Sequence, residues 1–282
     1  MKKPTEFKPQ NQKLPGQQSR MVPEPEVIRN GYKGSEKLKG KVALITGGDS
    51  GIGRSVAVHF AREGADVAIN FISETKDARD TQKLVEAEGQ KCILIKGDIR
   101  SEKFCNKAVD TTVEKLGGIN ILVNNAAIQF PKNSLKEISS KQLLETFETN
   151  IYSFFHLAKF AVDHFKAGDT IINTSSVTTY RGSEHLVDYA STKGAIVGFT
   201  RSLAKMLAPD KIRVNGVAPG PIWTPLIPAT FEDVTEFGQD TALGRAGQPS
   251  EVAPAYVYLA SEDSSYVTGQ FIHVNGGEIV GG

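Results

Sequence analysis

The chain is poor in the features that mark secreted, metal-binding and membrane proteins. Its only cysteines, Cys92 and Cys105, are too few for a disulfide framework and lack the spacing of a metal-ligand cluster. Two reduced thiols suit a cytoplasmic protein. No apolar run approaches the ~18 residues that span a bilayer. The opening stretch, MKKPTEFKPQNQKLPGQQ, is basic but has no apolar segment of the kind that drives secretion. The histidines, His59, His156, His164, His185 and His273, show no metal-binding spacing. The net charge is only +1, and no basic patch on the body argues for nucleic acid. What remains is a soluble domain without metal, membrane or nucleic acid as expected partners. Its 282 residues are enough for one large core.

The small net charge hides an uneven spread. Residues 1–39 carry nine Lys/Arg against four Asp/Glu, a balance of +5, which leaves the body at −4. This basic, Pro/Gln-rich extension, bounded at residue 38, is free to lie against an acidic surface, its own or a neighbour's. Pro4, Pro9, Pro15, Pro23 and Pro25 favour instead a solvated, partly disordered tail.

From Lys41 onward short apolar runs alternate with helical patterns. KVALIT, DVAINF, KCILIKGD, INILVNNAA, DTIINTSS and IRVNGVAPG read as buried strands. Between them, helices are predicted over Gly51–Glu63, Ser73–Glu88, Ser101–Leu116 and Lys141–Phe165, and along DYASTKGAIVGFTRSLAKML. This alternation predicts a single α/β domain over 39–282, a doubly wound parallel sheet with helices on both faces. Ligands of such sheets bind at the carboxyl ends of the strands.

The first strand runs into TGGDSGIGR, Thr46 to Arg54. Gly47, Gly51 and Gly53 lie between strand and helix, where missing side chains permit a tight turn and let a pyrophosphate reach the helix amino end. The spacing is G-x-x-x-G-x-G, a variant that resembles the short-chain dehydrogenase/reductase family. Other pieces follow in that family's order: Asp98-Ile99 after the third strand, Asn124-Asn125-Ala126-Ala127 after the fourth, Ser176, the Tyr189-x-x-x-Lys193 pair, PGPIWT from Pro219 to Thr224, and TGQFIHVNGG near the carboxyl end. Ala127 stands where the family usually has glycine. The extension together with GGDSGIGR resembles a bacterial subgroup of general-stress or glucose/ribitol-dehydrogenase-like proteins.

The resemblance implies a Rossmann-type fold and a nicotinamide dinucleotide held by Gly47, Ser50, Gly51, Ile52, Gly53, Asn70, Phe71, Asp98, Ile99, Asn125, Ala126, Ala127, Pro219, Gly220, Ile222 and Thr224, with Tyr189 and Lys193 at its reactive end. It implies Asn150, Ser176, Tyr189 and Lys193 as the catalytic set, no metal, and a homotetramer. The chemistry of these residue types agrees. Hydride transfer to or from an alcohol carbon requires a proton to move at the oxygen, and a free tyrosine has a pKa of about 10. Lys193, one helical turn from Tyr189, can lower it, at ~1.4 kcal/mol of preferential interaction per unit. Ser176 can donate to the substrate oxygen. By resemblance, Lys193 also bonds the nicotinamide ribose and Asn150 holds a water that relays protons to Lys193.

The end of the second strand, Asn70-Phe71-Ile72-Ser73, carries neither the acid of NAD sites nor the cation of NADP sites. The missing cation leans to NAD, while Asn70, Ser73 or Lys76 would serve a 2′-phosphate. Residues 225–247 form a long insertion of the kind that acts as a substrate lid. Trp223, Leu226, Ile227 and Phe231 are expected to present apolar surface there, with Glu184 and His185 opposite. That mixture suits a small carbonyl or a sugar alcohol. The alternatives are a dinucleotide-binding sensor or scaffold without turnover, and an acyl-carrier-protein 3-oxoacyl reductase. The latter would want a basic docking patch that this acidic body does not offer.

Overall fold

The computed structural model describes residues 3–280. Seven strands, β1 (Val42–Thr46), β2 (Asp66–Phe71), β3 (Cys92–Lys96), β4 (Ile121–Asn124), β5 (Thr170–Thr174), β6 (Arg213–Pro219) and β7 (Phe271–Val274), pair in the order β3-β2-β1-β4-β5-β6-β7. Every pairing is parallel. The direction of winding reverses between β1 and β4, which opens a crevice at their carboxyl ends.

The strands alternate sides at every residue and both sides are buried, which explains their continuous apolar runs. Ala43, Ile45, Val67, Ile69 and Val123 face one core with helices α1 (Gly51–Arg62), α2 (Thr75–Ala87) and α8 (Pro249–Ala260). Leu44, Ala68, Leu122 and Ile171 face the other, with α3 (Glu102–Leu116), α5 (Ser153–Val162) and α7 (Val187–Leu207). A short α4 (Ser140–Phe147) and the single turn α6 (Thr178–Arg181) complete the set around the crevice.

The helix expected over Lys141–Phe165 is continuous from Ser140 to Val162 but is not α-helical throughout. Between α4 and α5 the backbone widens into a π-helical turn, Glu148–Tyr152, centred on Asn150. The cause is tertiary. Asn150 Nδ2 donates to the Ile128 carbonyl at 2.9 Å and Oδ1 accepts the Ile128 N–H at 2.9 Å, so one side chain ties the helix to the loop after β4. No Pro or Gly within the segment signals this.

The expectation of a solvated amino-terminal tail is not met either. The extension runs over its own body, because it carries apolar anchors and finds acceptors there. Phe7 is buried and stacks on Trp223 with ring centroids 3.7 Å apart. Phe7 N–H donates to the Thr235 carbonyl at 3.0 Å, Gln12 N–H to Pro228 at 2.8 Å, and Trp223 Nε1 to Pro23 at 2.9 Å. Lys3 pairs with Glu26 and Lys37 with Asp263. Phe7, Met21, Trp223, Ile227, Val234 and Ala246 form a third, smaller core.

Because that small core is peripheral, it opens locally without unfolding the sheet. Phe7→Ala removes about 3 kcal/mol or more from it. Trypsin cleavage after Lys13 is therefore expected to quicken roughly 100-fold or more, with the global melting temperature nearly unchanged. Equal cleavage rates in both proteins would show that the stack does not hold the extension down.

Candidate active site

A cleft of about 550 Å³ lies along the carboxyl ends of the strands. Its floor starts where β1 becomes α1. Gly47 and Gly51 have φ of +62° and +54°, in the left-handed region that disfavours side chains. At Gly53 a Cβ would sit 2.0 Å from the Gly47 carbonyl oxygen, so only glycine lets the helix start this close to the strand. Thr46 Oγ1 accepts the N–H groups of Asn125 and Ala126 at 2.9 and 3.1 Å, and Asn125 Nδ2 donates to the Thr46 carbonyl at 3.0 Å. These bonds lock the loop after β4 onto the turn after β1. No acceptor among the described residues takes the N–H of Ile52, which faces the cleft at the positive end of α1. A side-chain-free cradle with an unpaired donor fits a dinucleotide's pyrophosphate.

Ser176, Tyr189 and Lys193 converge farther along the cleft. Asp188 positions the start of α7: its carboxylate accepts from Gln142 Nε2 at 3.0 Å, Thr146 Oγ1 at 2.9 Å and the Tyr189 N–H at 2.9 Å. Lys193 is 1% exposed, and its Nζ donates to the Thr174 carbonyl at 2.8 Å while standing 5.3 Å from the Tyr189 ring centre. Ser176 Oγ accepts from Thr178 N–H at 3.2 Å and Thr178 Oγ1 at 3.0 Å, which leaves its own proton free to donate. Burial pushes Lys193 down to about 7 and Tyr189 up to about 12, with the Ser176 hydroxyl pulling Tyr189 partly back. Desolvation dominates both groups, and the ammonium is turned to a carbonyl.

Nearly all of the sequence-predicted residues line this one cleft; Gly53 and Asn150 do not. Gly53 serves packing. The Asn150 side chain is spent on Ile128 and on Thr192 Oγ1, to which Nδ2 donates at 3.1 Å. Around the lid, Leu226, Ile227 and Phe231 line the cleft as expected, whereas Trp223 is wholly buried beneath Phe7. Glu184 and His185 lie outside it, exposed on their loop. The candidate 2′-phosphate partners are otherwise engaged. Asn70 Nδ2 donates to the Ile95 and Gly97 carbonyls, Ser73 Oγ to Glu74, and Lys76 pairs with Asp80.

Sequence reasoning missed Asp49 and Glu74, which line the cleft beside the end of β2. Burial, aided by the charges of Asp77 and Glu74, pushes Asp49 up to about 6. It also missed Asp188 and the extension's Leu14, Pro15 and Gly16, which form part of the cleft wall. Asp49 sits inside the glycine motif and was legible there. The others depend on contacts distant in sequence. Asp98 shares its carboxylate with Arg100; burial works against its ionisation, but the Arg100 hydrogen bonds outweigh it and hold the pKa low. Among the described residues no group of His, Cys, Asp and Glu is arranged to hold a metal, and no helix is long and apolar enough to cross a membrane.

A glycine cradle at the switch point and a Ser–Tyr–Lys cluster on a seven-stranded parallel sheet define a dinucleotide-dependent oxidoreductase. A family model described as "Enoyl-(Acyl carrier protein) reductase" matches residues 47–278. The chain belongs to the short-chain dehydrogenase/reductase family and is an NAD(P)-dependent oxidoreductase. It is 59% identical over 280 residues to General stress protein 39 of Bacillus subtilis (strain 168), covering 98% of each chain. It is 49% identical over 286 residues to the Glucose and ribitol dehydrogenase of Daucus carota, again covering 98% of each. A solved short-chain dehydrogenase from Burkholderia cenocepacia J2315 in complex with NADP superposes with a TM-score of 0.81 at 31% identity, covering 86% of this chain and 98% of that one. The lean to NAD finds no support in that neighbour, whose cofactor is NADP. Reading selectivity from the end of β2 alone overlooked the residues that stand beside it.

Removing the Asn150 side chain orphans the Ile128 N–H and carbonyl. Asn150→Ala is expected to cost about 2–3 kcal/mol of stability in urea unfolding, the usual penalty for buried groups left unpaired. A midpoint equal to wild type would mean that the π turn does not depend on this side chain.

Proposed function

We propose that the enzyme interconverts a small carbonyl compound and its alcohol, a sugar alcohol among them, with Tyr189 as general acid and base. The observation that carries this reading is the convergence of Ser176, Tyr189 and Lys193 in the cleft that begins at the glycine turn. A bound nicotinamide supplies or accepts the hydride. Ser176, its lone pairs engaged by Thr178, donates to the substrate oxygen and holds it beside Tyr189. In oxidation the Tyr189 phenolate takes the hydroxyl proton as the carbonyl forms, and in reduction the phenol returns it. Burial penalises either ion alone, but a Lys193 ammonium beside a Tyr189 phenolate carries no net charge, so the pair is a less costly way to hold the reactive base. Asn150 acts in this scheme through the helix it shapes, and a water relay to Lys193 is part of the proposal.

Residues 225–247 are the substrate lid, with Leu226, Ile227 and Phe231 as apolar contacts. The name of the carrot relative supports sugars and polyols as the first substrates to try. Exposed apolar side chains such as Phe155, Leu144 and Met206 support assembly into a homotetramer, and buried free thiols agree with a cytoplasmic location. The sensor reading and the acyl-carrier-protein reductase reading draw no comparable support.

Two measurements test this. Nicotinamide absorbance with NAD or NADP and a panel of polyols, sugars, aldehydes and ketones is expected to reveal turnover that Tyr189→Phe lowers by about 10²- to 10⁴-fold. Dinucleotide affinity should be intact in that variant. Undiminished turnover would remove Tyr189 from the proton step.

The second measurement concerns cofactor choice. Asp49 is ionised above about pH 6 and takes up a proton below it. As pH falls from 7.5 to 5.5 the adenosine end loses negative charge, so NADP should gain roughly 5- to 10-fold in affinity relative to NAD. Asp49→Asn should show most of that gain already at pH 7.5. A ratio of affinities unmoved by the substitution would place selectivity elsewhere.

A further inference from the structure

The amino-terminal extension reaches the amino end of α1, with Leu14, Pro15 and Gly16 lining the cleft and Gln18 bonded to Gly51 from outside it. Gln18, in a single 3-10 turn (Gln18–Arg20), is 1% exposed, and its Oε1 accepts the N–H of Gly51 at 2.8 Å. Gly51 opens α1, where unpaired amide donors and the helix dipole favour negative charge. Gln18 is fixed from the other side as well. Its own N–H donates to Asp77 Oδ2 at 2.7 Å, and that of Ser19 to Oδ1 at 3.3 Å. The second half of its amide, Nε2, is buried and has no partner among the described residues. A buried amide with an idle donor beside an anion-binding turn is half of a recognition element.

The residues just upstream close the cleft. Gln12 and Gln17 clamp one another, Nε2 to the Gln17 carbonyl at 3.1 Å and the Gln17 N–H to Oε1 at 2.7 Å, making a closed turn. Within it Leu14, Pro15 and Gly16 line the same cleft as Gly51 and Tyr189. Gly16 fits so tightly against the lid that a Cβ would lie 2.2 Å from the Pro225 carbonyl oxygen. The turn thus bridges the cleft, bonded to α1 and α2 on one side and packed on the lid on the other.

We propose that residues 12–18 are a wall of the dinucleotide site supplied by the extension, with Gln18 as a positioning residue for the cofactor's phosphates. This rests on the dinucleotide reading above and adds to it a group outside the glycine motif. Gln18 holds Gly51 in place, and Leu14 to Gly16 cover the bound cofactor and slow its escape.

The test uses the full-length protein and reads dinucleotide Kd by titration, with melting temperature in the absence of cofactor as the control for folding. Gln18→Glu keeps the acceptor for Gly51 and adds a negative charge at the helix amino end. The cofactor-free protein should remain folded but melt somewhat below the wild-type temperature, because the added carboxylate is buried near Asp77, while Kd for both NAD and NADP weakens roughly tenfold or more. The kcat at saturating cofactor should stay within about twofold, so that the loss appears in KM. Leu14→Ala, which leaves the bonds of Gln18 in place, should weaken Kd about 3-fold or more through lost cover, with faster release. Wild-type Kd in both variants overturns the proposal and leaves the dinucleotide reading standing. Failure of the wild-type protein to bind either dinucleotide overturns both.

Discussion

The approach of Gly53 to the carbonyl of Gly47 is the contact on which the active cleft depends. Without a side chain at residue 53, α1 can begin directly at the end of β1, which brings its amino end to the cleft lined by Gly51 and Ile52. Everything else at this end of the sheet is built against that junction. Thr46 binds the loop after β4 to it, Asn150 binds the helix pair α4 and α5 to that loop, and Asp188 fixes α7 against α4. A chain of hydrogen bonds, each between groups removed from water, therefore runs from the glycine turn to Tyr189. Buried polar groups are costly when unpaired, so such a chain has few alternative arrangements.

The same burial sets the electrostatics. Lys193 donates to one carbonyl, and burial favours its neutral form and the neutral phenol of Tyr189 more than water would. A site poised in this way gains its charge separation when opposite charges form together. At the other end, Asp49 and Glu74 put acid where a second phosphate would have to be accommodated, and the cations nearest them are already paired.

The extension changes what counts as the catalytic unit. A helix and sheet scaffold alone would leave the lid, residues 225–247, as a long segment with few regular hydrogen bonds. Phe7 on Trp223, Gln12 on Pro228 and Gly16 against Pro225 supply it with a backing layer. Small apolar cores of this kind are marginal by themselves, and here five prolines and the Gln12–Gln17 turn reduce the number of shapes the extension can take. Residues 225–247 and the extension are mutually supporting, and both contribute to the lining of the cleft.

Much of the fold was legible in the residues themselves. Buried parallel strands read as continuous apolar runs, helix ends coincide with Gly64, Gly89 and Gly117, and the G-x-x-x-G-x-G spacing states its steric requirement locally. Ser176, Tyr189 and Lys193 were singled out through the family resemblance of their motifs, and the structure brings all three to one cleft. What the linear pattern could not contain was set by partners far away in sequence. The π turn at Asn150 arises from a bond to Ile128. Trp223 is buried because Phe7, more than two hundred residues earlier, lies on it, and Gln18 reaches Gly51 only once the extension has folded back. Local sequence determined which segments form strands, helices and tight glycine turns, since those depend on backbone sterics and periodicity. Tertiary structure decided which polar groups are spent on holding the fold and which are left to face a ligand, because that depends on where every other donor and acceptor comes to rest.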